Sequence, residues 1–380
     1  GNQPMISSNK KYLMVFNGEI YNFKEIKKNL EEKGIKLKTN SDTEVLLESL
    51  SNFGVEFLDK ICGMFAIVLY DLVKKKVYLI RDRLGIKPLF YFKNNDNFMF
   101  GSEIKSILNS KIYKAEANPS SISSFLNFRY PLGDQTLYQS IFSVKPGEII
   151  EFENGKMKNS IYWSIPRENK STEKNEDYYV EKLDDLLNIV VKDHLVSDVK
   201  ISFLLSGGLD SSVLSKISSK YLSIKTNSYS ASFARDGYDE SKFALQVSKI
   251  IDSNHVNLNF NDTDYFKLID EIIEYKMQPM FIPHEVALYQ LFQSVKNNKD
   301  KVIISGEGAD EIFGGYGRVQ GSGFDFKKIE FVKNKVPEFL HKYFISALNL
   351  NKKNCLNKNY NFTDHILEVY NWFSLEEKNS

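Results

Sequence analysis

Serine, glycine and aspartate lie close together in one short run, at Ser206, Gly207, Gly208, Asp210, Ser211 and Ser212. The run follows the apolar segment 200–205 and precedes a segment with helical spacing. Glycines allow the backbone to approach an oxyanion, and the amides at a helix N-terminus attract negative charge. The serine hydroxyls add donors, and the carboxylate can hold a Mg²⁺ ion that bridges phosphates. We therefore predict a phosphate-binding loop, with a plain strand-to-helix turn as the alternative; the Lys-Ser/Thr of a Walker loop is absent.

A second group of acidic and glycine residues follows the apolar run 302–304. Its candidate functional residues are Ser305, Gly306, Glu307 and Asp310, and Gly314, Gly315 and Tyr316 come shortly after. Taken alone, such a segment is usually a turn. Here it follows a strand of the same predicted sheet as the first loop, so both are expected at one crevice. Two carboxylates beside a phosphate site are suited to hold a metal and to act as a base.

Three polar motifs in the first 100 residues form a further candidate site. Asn17, Gly18 and Glu19 follow the predicted strand 12–16, Asp42 lies just before a predicted helix, and the third motif is 81–91. The Asn17 amide and the Gly18 N–H could form an oxyanion hole. The alternative is that Asn-Gly is a turn and that Asp42 only starts a helix. We interpret 81–91 as a structural segment.

From residue 200 onward, strand patterns alternate with helix patterns. The expected strands are 200–205, 228–233, 255–260 and 302–304, and the expected helices are 210–221, 240–251, 264–275 and 284–296. This alternation predicts a parallel, doubly wound sheet that binds ligands at the carboxyl ends of its strands.

The first 165 residues are richer in strand patterns and predict an α+β domain. A helix is expected after the strand 12–16, and Thr43 is the expected cap of a second one. Asn154-Gly155 between two strand patterns predicts a hairpin. The polar segment 166–177 is the expected linker, so the predicted domains are 1–165 and 178–380.

Composition excludes several classes of protein. The 380 residues include 50 basic and 49 acidic side chains, which argues against a nucleic-acid partner or a polybasic membrane surface. No apolar run is long enough for a transmembrane helix. Two cysteines cannot form a disulfide framework, which favours a cytoplasmic protein, and we expect Cys62 to be a core thiol. No zinc pattern accompanies His284-Glu285.

The first loop resembles the pyrophosphate-binding loop of ATP pyrophosphatases. Together with 305–316 and Tyr238-Asp239-Glu240-Ser241, it resembles the synthetase domain of glutamine-dependent asparagine synthetases. The resemblance implies that aspartate is adenylated by ATP and that ammonia then displaces AMP. The implied roles are adenosine contacts by Leu204 and Ala231, adenine–ribose contacts by Ser305 and Gly306, Mg²⁺ binding by Asp210 and Asp310, and general-base catalysis by Glu307.

The N-terminal motifs resemble the N-terminal-nucleophile glutaminase domain of the same family. This implies an α+β glutaminase-like domain before an α/β ATP-pyrophosphatase domain. It also implies that Asn17, Gly18, Glu19 and Asp42 bind glutamine, with Asp42 on its α-ammonium group. Family members carry a cysteine nucleophile at the mature N-terminus, where this chain has Gly1, and extend well past Ser380. We therefore expect the chain to be truncated at both ends and not to hydrolyse glutamine by itself.

Other functions remain open from the sequence alone. Related amidotransferases act on antibiotic or polysaccharide precursors or close a β-lactam ring. A tRNA thiolase shares the phosphate loop, although the expected cysteine pair and basic region are absent. A non-catalytic storage or interaction protein is a third alternative. Oligomeric state is also open, with a homodimer as one candidate.

Overall fold

The structure of the protein is a computed structural model that describes residues 2–166, 174–233, 239–260, 262–348, 350, 355–356, 361–362 and 365. Residues 167–173 of the expected linker, Tyr238 of the expected family motif and the chain from 366 onward lie outside the described residues.

Two antiparallel sheets form the N-terminal unit. The larger has the strand order β1-β2-β3-β4-β8-β9, and the smaller has the order β6-β5-β7. Their bounds are β1 Met5–Ile6, β2 Tyr12–Ile20, β3 Gly63–Asp71, β4 Lys76–Arg81, β5 Phe90–Lys93, β6 Phe98–Gly101, β7 Ile141–Ser143, β8 Glu148–Glu153 and β9 Lys156–Ile161. The hairpin predicted at Asn154-Gly155 is confirmed, because β8 pairs with β9.

Helices cover one face of the larger sheet, and the smaller sheet packs on the other. The helices of this unit are α1 Phe23–Glu32, α2 Asp42–Phe53, α3 Ile104–Leu108 and α4 Pro119–Phe128. Ile26 and Leu30 of α1 and Leu46 of α2 pack in one core with Met14 and Phe65 of the sheet. This core fixes α1 and α2, and with them the start of α2, relative to the end of β2.

The strand that carries Asn17 and Gly18 is longer than predicted. Both residues lie inside β2, which pairs with β3 as far as Ile20 opposite Gly63. The prediction that they follow the strand was therefore wrong, and so was the alternative of an Asn-Gly turn. The reason is tertiary: Gly63 and Gly18 bring the two backbones close together, and the ladder hydrogen bonds continue through the polar residues.

Adding one methyl group at Gly18 should destabilise the N-terminal sheet. A Cβ at this position would lie 2.7 Å from Cα of Phe65 and against the carbonyl oxygen of Met64, and backbone atoms cannot rotate away. We expect Gly18→Ala to lower the free energy of unfolding by about 1–3 kcal/mol. Urea denaturation of the purified protein measures this. Gly317→Ala is the control, because a Cβ there meets open space; equal stability of the two variants would contradict the prediction.

The cap of α2 also differs from the prediction. Ser41, and not Thr43, is the N-cap, and its hydroxyl accepts the N–H of Glu44 at 3.3 Å. Thr43 is buried inside the first turn. Ser41 has the extended dihedral angles of an N-cap, so the helix begins at Asp42 and Thr43 is already its second residue.

Cys62 is exposed, so the prediction of a core thiol was wrong. The residue directly precedes β3, and hydrogen bonds hold its backbone on both sides. Its N–H donates to Oδ1 of Asn22 at 3.0 Å, and its carbonyl accepts the N–H of Tyr21 at 2.8 Å. The strand that follows is buried only from its third residue, Phe65, onward.

A parallel four-stranded sheet forms the second unit, with the order β12-β11-β10-β13. Its strands are β10 Ile201–Leu204, β11 Asn227–Phe233, β12 Asn254–Phe260 and β13 Val302–Ile304. The helices are α5 Glu176–His194, α6 Leu209–Ser219, α7 Ser241–Ile250, α8 Asp262–Lys276, α9 Glu285–Asn297, α10 Ala309–Phe313, α11 Gly317–Lys335 and α12 His341–Ala347. The predicted parallel sheet is confirmed, and α5 begins inside the last two positions of the expected linker.

The two faces of this sheet differ in chemistry. Tyr229 and Ala231 of β11 point to α9 and pack with Leu291. Successive residues of a strand point to opposite faces, so the buried Ser228 and Ser230 lie on the other face, where both contact His255 at 2.9 and 3.1 Å. In the described part of the chain, no helix is long and apolar enough to cross a membrane.

Segment 277–285, between α8 and the first residue of α9, contacts the N-terminal unit. The hydroxyl of Tyr138 donates to the carbonyl of Met277 at 2.6 Å. The ring of Phe281 lies 5.7 Å from that of Phe125 in α4 and 5.9 Å from that of Tyr130. The two units are thus joined through the segment that leads into α9.

Candidate active site

A cavity of about 360 Å³ opens at the carboxyl ends of β10, β11 and β13. This is the edge of the sheet at which the sequence analysis predicts ligand binding. Ten of the predicted nucleotide, metal and catalytic residues line it together: Leu204, Ser206, Gly208, Asp210, Ser211, Ala231, Ser305, Gly306, Glu307 and Asp310. Gly207 and Ser212 are not among the lining residues.

The loop between β10 and α6 is held by its own serines. The hydroxyl of Ser206 accepts the N–H of Gly208 at 3.1 Å and lies 3.0 Å from the hydroxyl of Ser211. The Ser212 hydroxyl donates to the carbonyl of Gly208 at 2.6 Å, within the first turn of the helix. No side chain caps the N-terminus of α6. Its first amides therefore suit an anionic ligand.

Gly207 allows a backbone conformation and a close contact in this loop that a side chain would prevent. Its φ of +90° lies in the left-handed region. A Cβ there would lie 2.7 Å from the backbone nitrogen of Ala244 and 2.9 Å from the carbonyl oxygen of Glu240. Gly207 thus lets the loop turn while it packs against the start of α7.

The two acidic motifs are in direct contact. A Cβ at Gly306 would lie 2.9 Å from the backbone nitrogen of Ser211 and 3.1 Å from Cβ of Asp210. β10 and β13 are neighbours in the sheet, so both motifs leave it side by side. The absence of a side chain at Gly306 allows the segment after β13 to lie against the first turn of α6.

The floor of the cavity is apolar. Leu204, Tyr229 and Ala231 reach it from the sheet, and Leu288 and Leu291 reach it from α9. An apolar surface next to an anion-binding loop is suited to a nucleoside phosphate, whose base is apolar on its faces.

A buried carboxylate holds the floor residue Tyr229 in place. Asp300 accepts hydrogen bonds from the hydroxyls of Tyr229 and Ser202, both at 2.6 Å, and from the amide of Asn227 at 2.8 Å. Burial would raise the pKa of the Asp300 carboxyl, but these three donors outweigh it and hold the pKa below its usual range. Burial, together with the nearby carboxylate, raises the pKa of Tyr229 to about 12. Asp300, just before β13, thereby binds side chains of both β10 and β11.

Replacing Asp300 with asparagine should destabilise the protein most at neutral pH. A carboxyl whose pKa is lowered in the folded state stabilises the fold above its unfolded pKa and loses that effect as the pH falls through the folded pKa. We expect Asp300→Asn to lower the free energy of unfolding by about 2–3 kcal/mol at pH 7, with a smaller difference below pH of about 4. Urea denaturation at both pH values measures this. Asp252→Asn, at an exposed aspartate, is the control; a difference that does not vary with pH would contradict the assignment.

Carboxylates surround the opposite side of the cavity. Glu307, Asp310 and Glu311 lie there, and the hydroxyl of Tyr316 donates to Oε1 of Glu311 at 2.8 Å. Across the described ranges, no group of three or more acidic, histidine or cysteine side chains is arranged to hold a metal alone. Mg²⁺ at phosphoryl-transfer sites is usually held by one or two carboxylates plus substrate phosphates. Asp210 and Asp310, the two carboxylates predicted to hold Mg²⁺, both line this cavity.

Several lining residues were not predicted from the sequence. They are Leu205, Tyr229, Ser230, Glu240, His284, Ala287, Leu288, Leu291, Gly308, Glu311 and Tyr316. Glu240, Gly308, Glu311 and Tyr316 lie in motifs that the sequence analysis singled out without giving these side chains a role. The residues at 284, 287, 288 and 291 follow the spacing of one helical face, which was their only signal in the sequence.

The predicted glutamine-binding residues meet at a separate place, where β2 ends beside the start of α2. Oδ2 of Asp42 accepts the N–H of Ile20 at 3.1 Å, and the side-chain amide of Asn17 donates to the hydroxyl of Ser102 at 3.1 Å. Burial and the charge of Asp42 raise the pKa of Glu19, against the opposing effect of Lys87. Two mutually repelling carboxylates make a favourable place for a cationic group.

Comparison with protein families gives one match for each unit. The family model described as a glutamine amidotransferase domain matches residues 1–163, and the one described as asparagine synthase matches residues 182–371. The second match covers half of the chain.

Similar proteins were found among curated sequences and solved structures. Asparagine synthetase [glutamine-hydrolyzing] 1 of Bacillus subtilis is 31% identical over 83% of this chain and 49% of its own length. Asparagine synthetase B of Escherichia coli is 28% identical over 83% of this chain and 54% of its own length. The chain thus spans about half the length of these relatives. A glutamine phosphoribosylpyrophosphate amidotransferase structure from Bacillus subtilis is 12% identical with a TM-score of 0.35, over 72% of this chain and 75% of that one.

Proposed function

Because the chain belongs to the asparagine synthase family, we propose that it catalyses the ATP-dependent conversion of aspartate to asparagine. In the proposed reaction, an oxygen of the aspartate side-chain carboxylate attacks the α-phosphorus of ATP, and the bond to the β-phosphate breaks to release pyrophosphate. Ammonia then attacks the acyl carbon of β-aspartyl-AMP, loses a proton and displaces AMP. The order of domains, a glutamine amidotransferase domain before a parallel-sheet ATP-pyrophosphatase-like domain, is as predicted from the sequence.

The observation that carries the proposal is the convergence of both acidic motifs on one cavity with an apolar floor. Leu204 and Ala231 would contact adenosine, and Ser305 and Gly306 would contact the adenine–ribose region. The loop from Ser206 to Ser212 would receive the phosphates, with the uncapped amides of α6 as donors.

The carboxylates of the cavity would have two roles, metal binding and proton transfer. Asp210 and Asp310 would hold Mg²⁺, which when bound supplies positive charge to the triphosphate. Glu307 would remove the proton from the attacking ammonia, because it lies in the same cavity as the phosphate loop and on the other acidic motif. Gly207 and Ser212 would not contact the nucleotide through their side chains; they would hold the backbone of the phosphate loop in its conformation.

We propose that the N-terminal unit binds glutamine as the nitrogen donor. Glu19 and Asp42 would receive its α-ammonium group, since their mutual repulsion is relieved by a cation. Asn17 and Gly18 would supply the donors of an oxyanion hole.

A reaction that consumes ATP also supports the expected cytoplasmic location.

The products of the reaction test the proposal directly. With aspartate, an ammonium salt, ATP and Mg²⁺, the protein should form AMP and pyrophosphate in amounts equal to the asparagine made. Chromatographic separation of the nucleotides measures this. ADP and phosphate as products would contradict the proposal, and aspartate-independent pyrophosphate release would contradict the choice of acceptor.

The alternatives considered from the sequence fit the observations less well. The match to the asparagine synthase family model favours aspartate over antibiotic or polysaccharide precursors and over a tRNA. A non-catalytic protein is disfavoured because the carboxylates at 210, 307 and 310 are present and face one cavity.

A further inference from the structure

The cavity contains many more acidic than basic side chains. The described residues that line it include no lysine and no arginine, and their ionisable side chains other than tyrosine are Asp210, Glu240, Glu307, Asp310, Glu311 and His284. The anionic phosphates of a nucleotide can be met by the loop amides and by Mg²⁺. A second anionic group on the acceptor would instead meet these carboxylates, with His284 as the only described side chain of the lining able to carry positive charge.

His284 is placed where its imidazole can serve that purpose. It is the N-cap residue of α9, its side chain makes no cap hydrogen bond, and it is exposed at the cavity. Its carbonyl accepts the N–H of Leu288 at 3.0 Å, so the backbone is fixed while the ring is available. The positive end of the helix dipole adds to the attraction for an anion.

The segment before α9 holds His284 in position. Oε1 of Glu285 accepts the N–H of Phe281 at 2.7 Å, and its Oε2 pairs with Nζ of Lys276. The contact of Tyr138 with Met277 ties the same segment to the N-terminal unit. A binding group on a restrained backbone loses less conformational entropy when the ligand arrives.

On the basis of the function proposed above, we propose that His284 binds the carboxylate of the acceptor that does not react. For aspartate this is the α-carboxylate. Glu240, which lines the same cavity, suits the α-ammonium group. The acceptor class is therefore an amino acid with two carboxylates: one is adenylated, and the other pairs with the imidazole.

Comparing aspartate with β-alanine tests this assignment. β-Alanine keeps the amine and a reacting carboxylate but lacks the α-carboxylate. Dissociation constants for both are measured by calorimetry with a non-hydrolysable ATP analogue and Mg²⁺ present. The wild-type protein should prefer aspartate by about tenfold or more, as expected for a hydrogen bond between charged groups. His284→Ala should reduce the preference to within about threefold, and His284→Lys should restore most of it.

Lys296→Ala is the matched control, because it removes a cation from the other end of α9, outside the cavity lining. Lys296→Ala should leave the preference for aspartate over β-alanine unchanged. His284→Ala should leave the affinity for the ATP analogue unchanged. An unchanged preference in His284→Ala, or none in the wild-type protein, would overturn the assignment. The proposed reaction is judged separately, because its failure would be the absence of aspartate-dependent pyrophosphate from the wild-type protein.

Discussion

Glu307→Gln should slow amide formation by about 10²–10⁴-fold while pyrophosphate formation is reduced far less, since removing a general base typically has an effect of this size. The proposed base acts on ammonia, which attacks after the adenylate has formed. Adenylation does not need that proton transfer, so β-aspartyl-AMP should accumulate. The glutamine side chain keeps the size of glutamate, and the change therefore removes the base without opening the cavity.

Rapid quench with radiolabelled ATP measures the two steps separately. The wild-type protein should release pyrophosphate and form asparagine at matched rates, and Glu307→Gln should show a burst of pyrophosphate without asparagine. Glu330→Gln, an exposed glutamate on α11, is the control and should behave as wild type. Equal losses in both steps would show that Glu307 acts during adenylation, and the division of roles would be wrong.

Asp210→Asn should slow adenylation itself, by about 10²–10³-fold, a size typical of lost transition-state charge stabilisation. Asp210 lies in the first turn of α6, beside the uncapped amides and in contact with Gly306 of the second motif. The substitution keeps the shape of the side chain but removes the negative charge proposed to hold Mg²⁺. Pyrophosphate and asparagine should therefore fall together, in contrast to Glu307→Gln.

Binding separates this effect from a folding defect. Calorimetry should show a weaker affinity of Asp210→Asn for ATP with Mg²⁺, while the urea denaturation midpoint stays near that of wild type because Asp210 is exposed. Asp252→Asn, at an exposed aspartate outside the cavity lining, is the control for loss of a surface carboxylate. Unchanged affinity together with normal pyrophosphate release would rule out the proposed role of Asp210.

Local sequence patterns predicted the elements that carry the site. The strand bounds 302–304 were predicted to the residue, and the alternation of strands and helices predicted the parallel sheet. These predictions succeed because strand and helix periodicities, and the glycines that end them, are properties of short segments. The placement of both motifs at one edge follows from parallel strand direction alone.

Contacts between distant segments decided what the sequence patterns missed. The ladder with β3 extends β2 through Asn17 and Gly18, although these residues by themselves favour a turn. Hydrogen bonds to Asn22 and Tyr21 hold Cys62 at an exposed position, although the residue adjoins an apolar strand.

The sequence by itself determined that the segments 206–212 and 305–316 follow strands of one parallel sheet. Only the tertiary structure decided that Tyr229 is fixed by Asp300, 71 positions away, and that His284 joins the cavity. The physical reason is that a helical pattern shows which residues share a face but not which surface that face meets. That surface is chosen when α9 packs on β11, and its packing sets the groups that face the substrate.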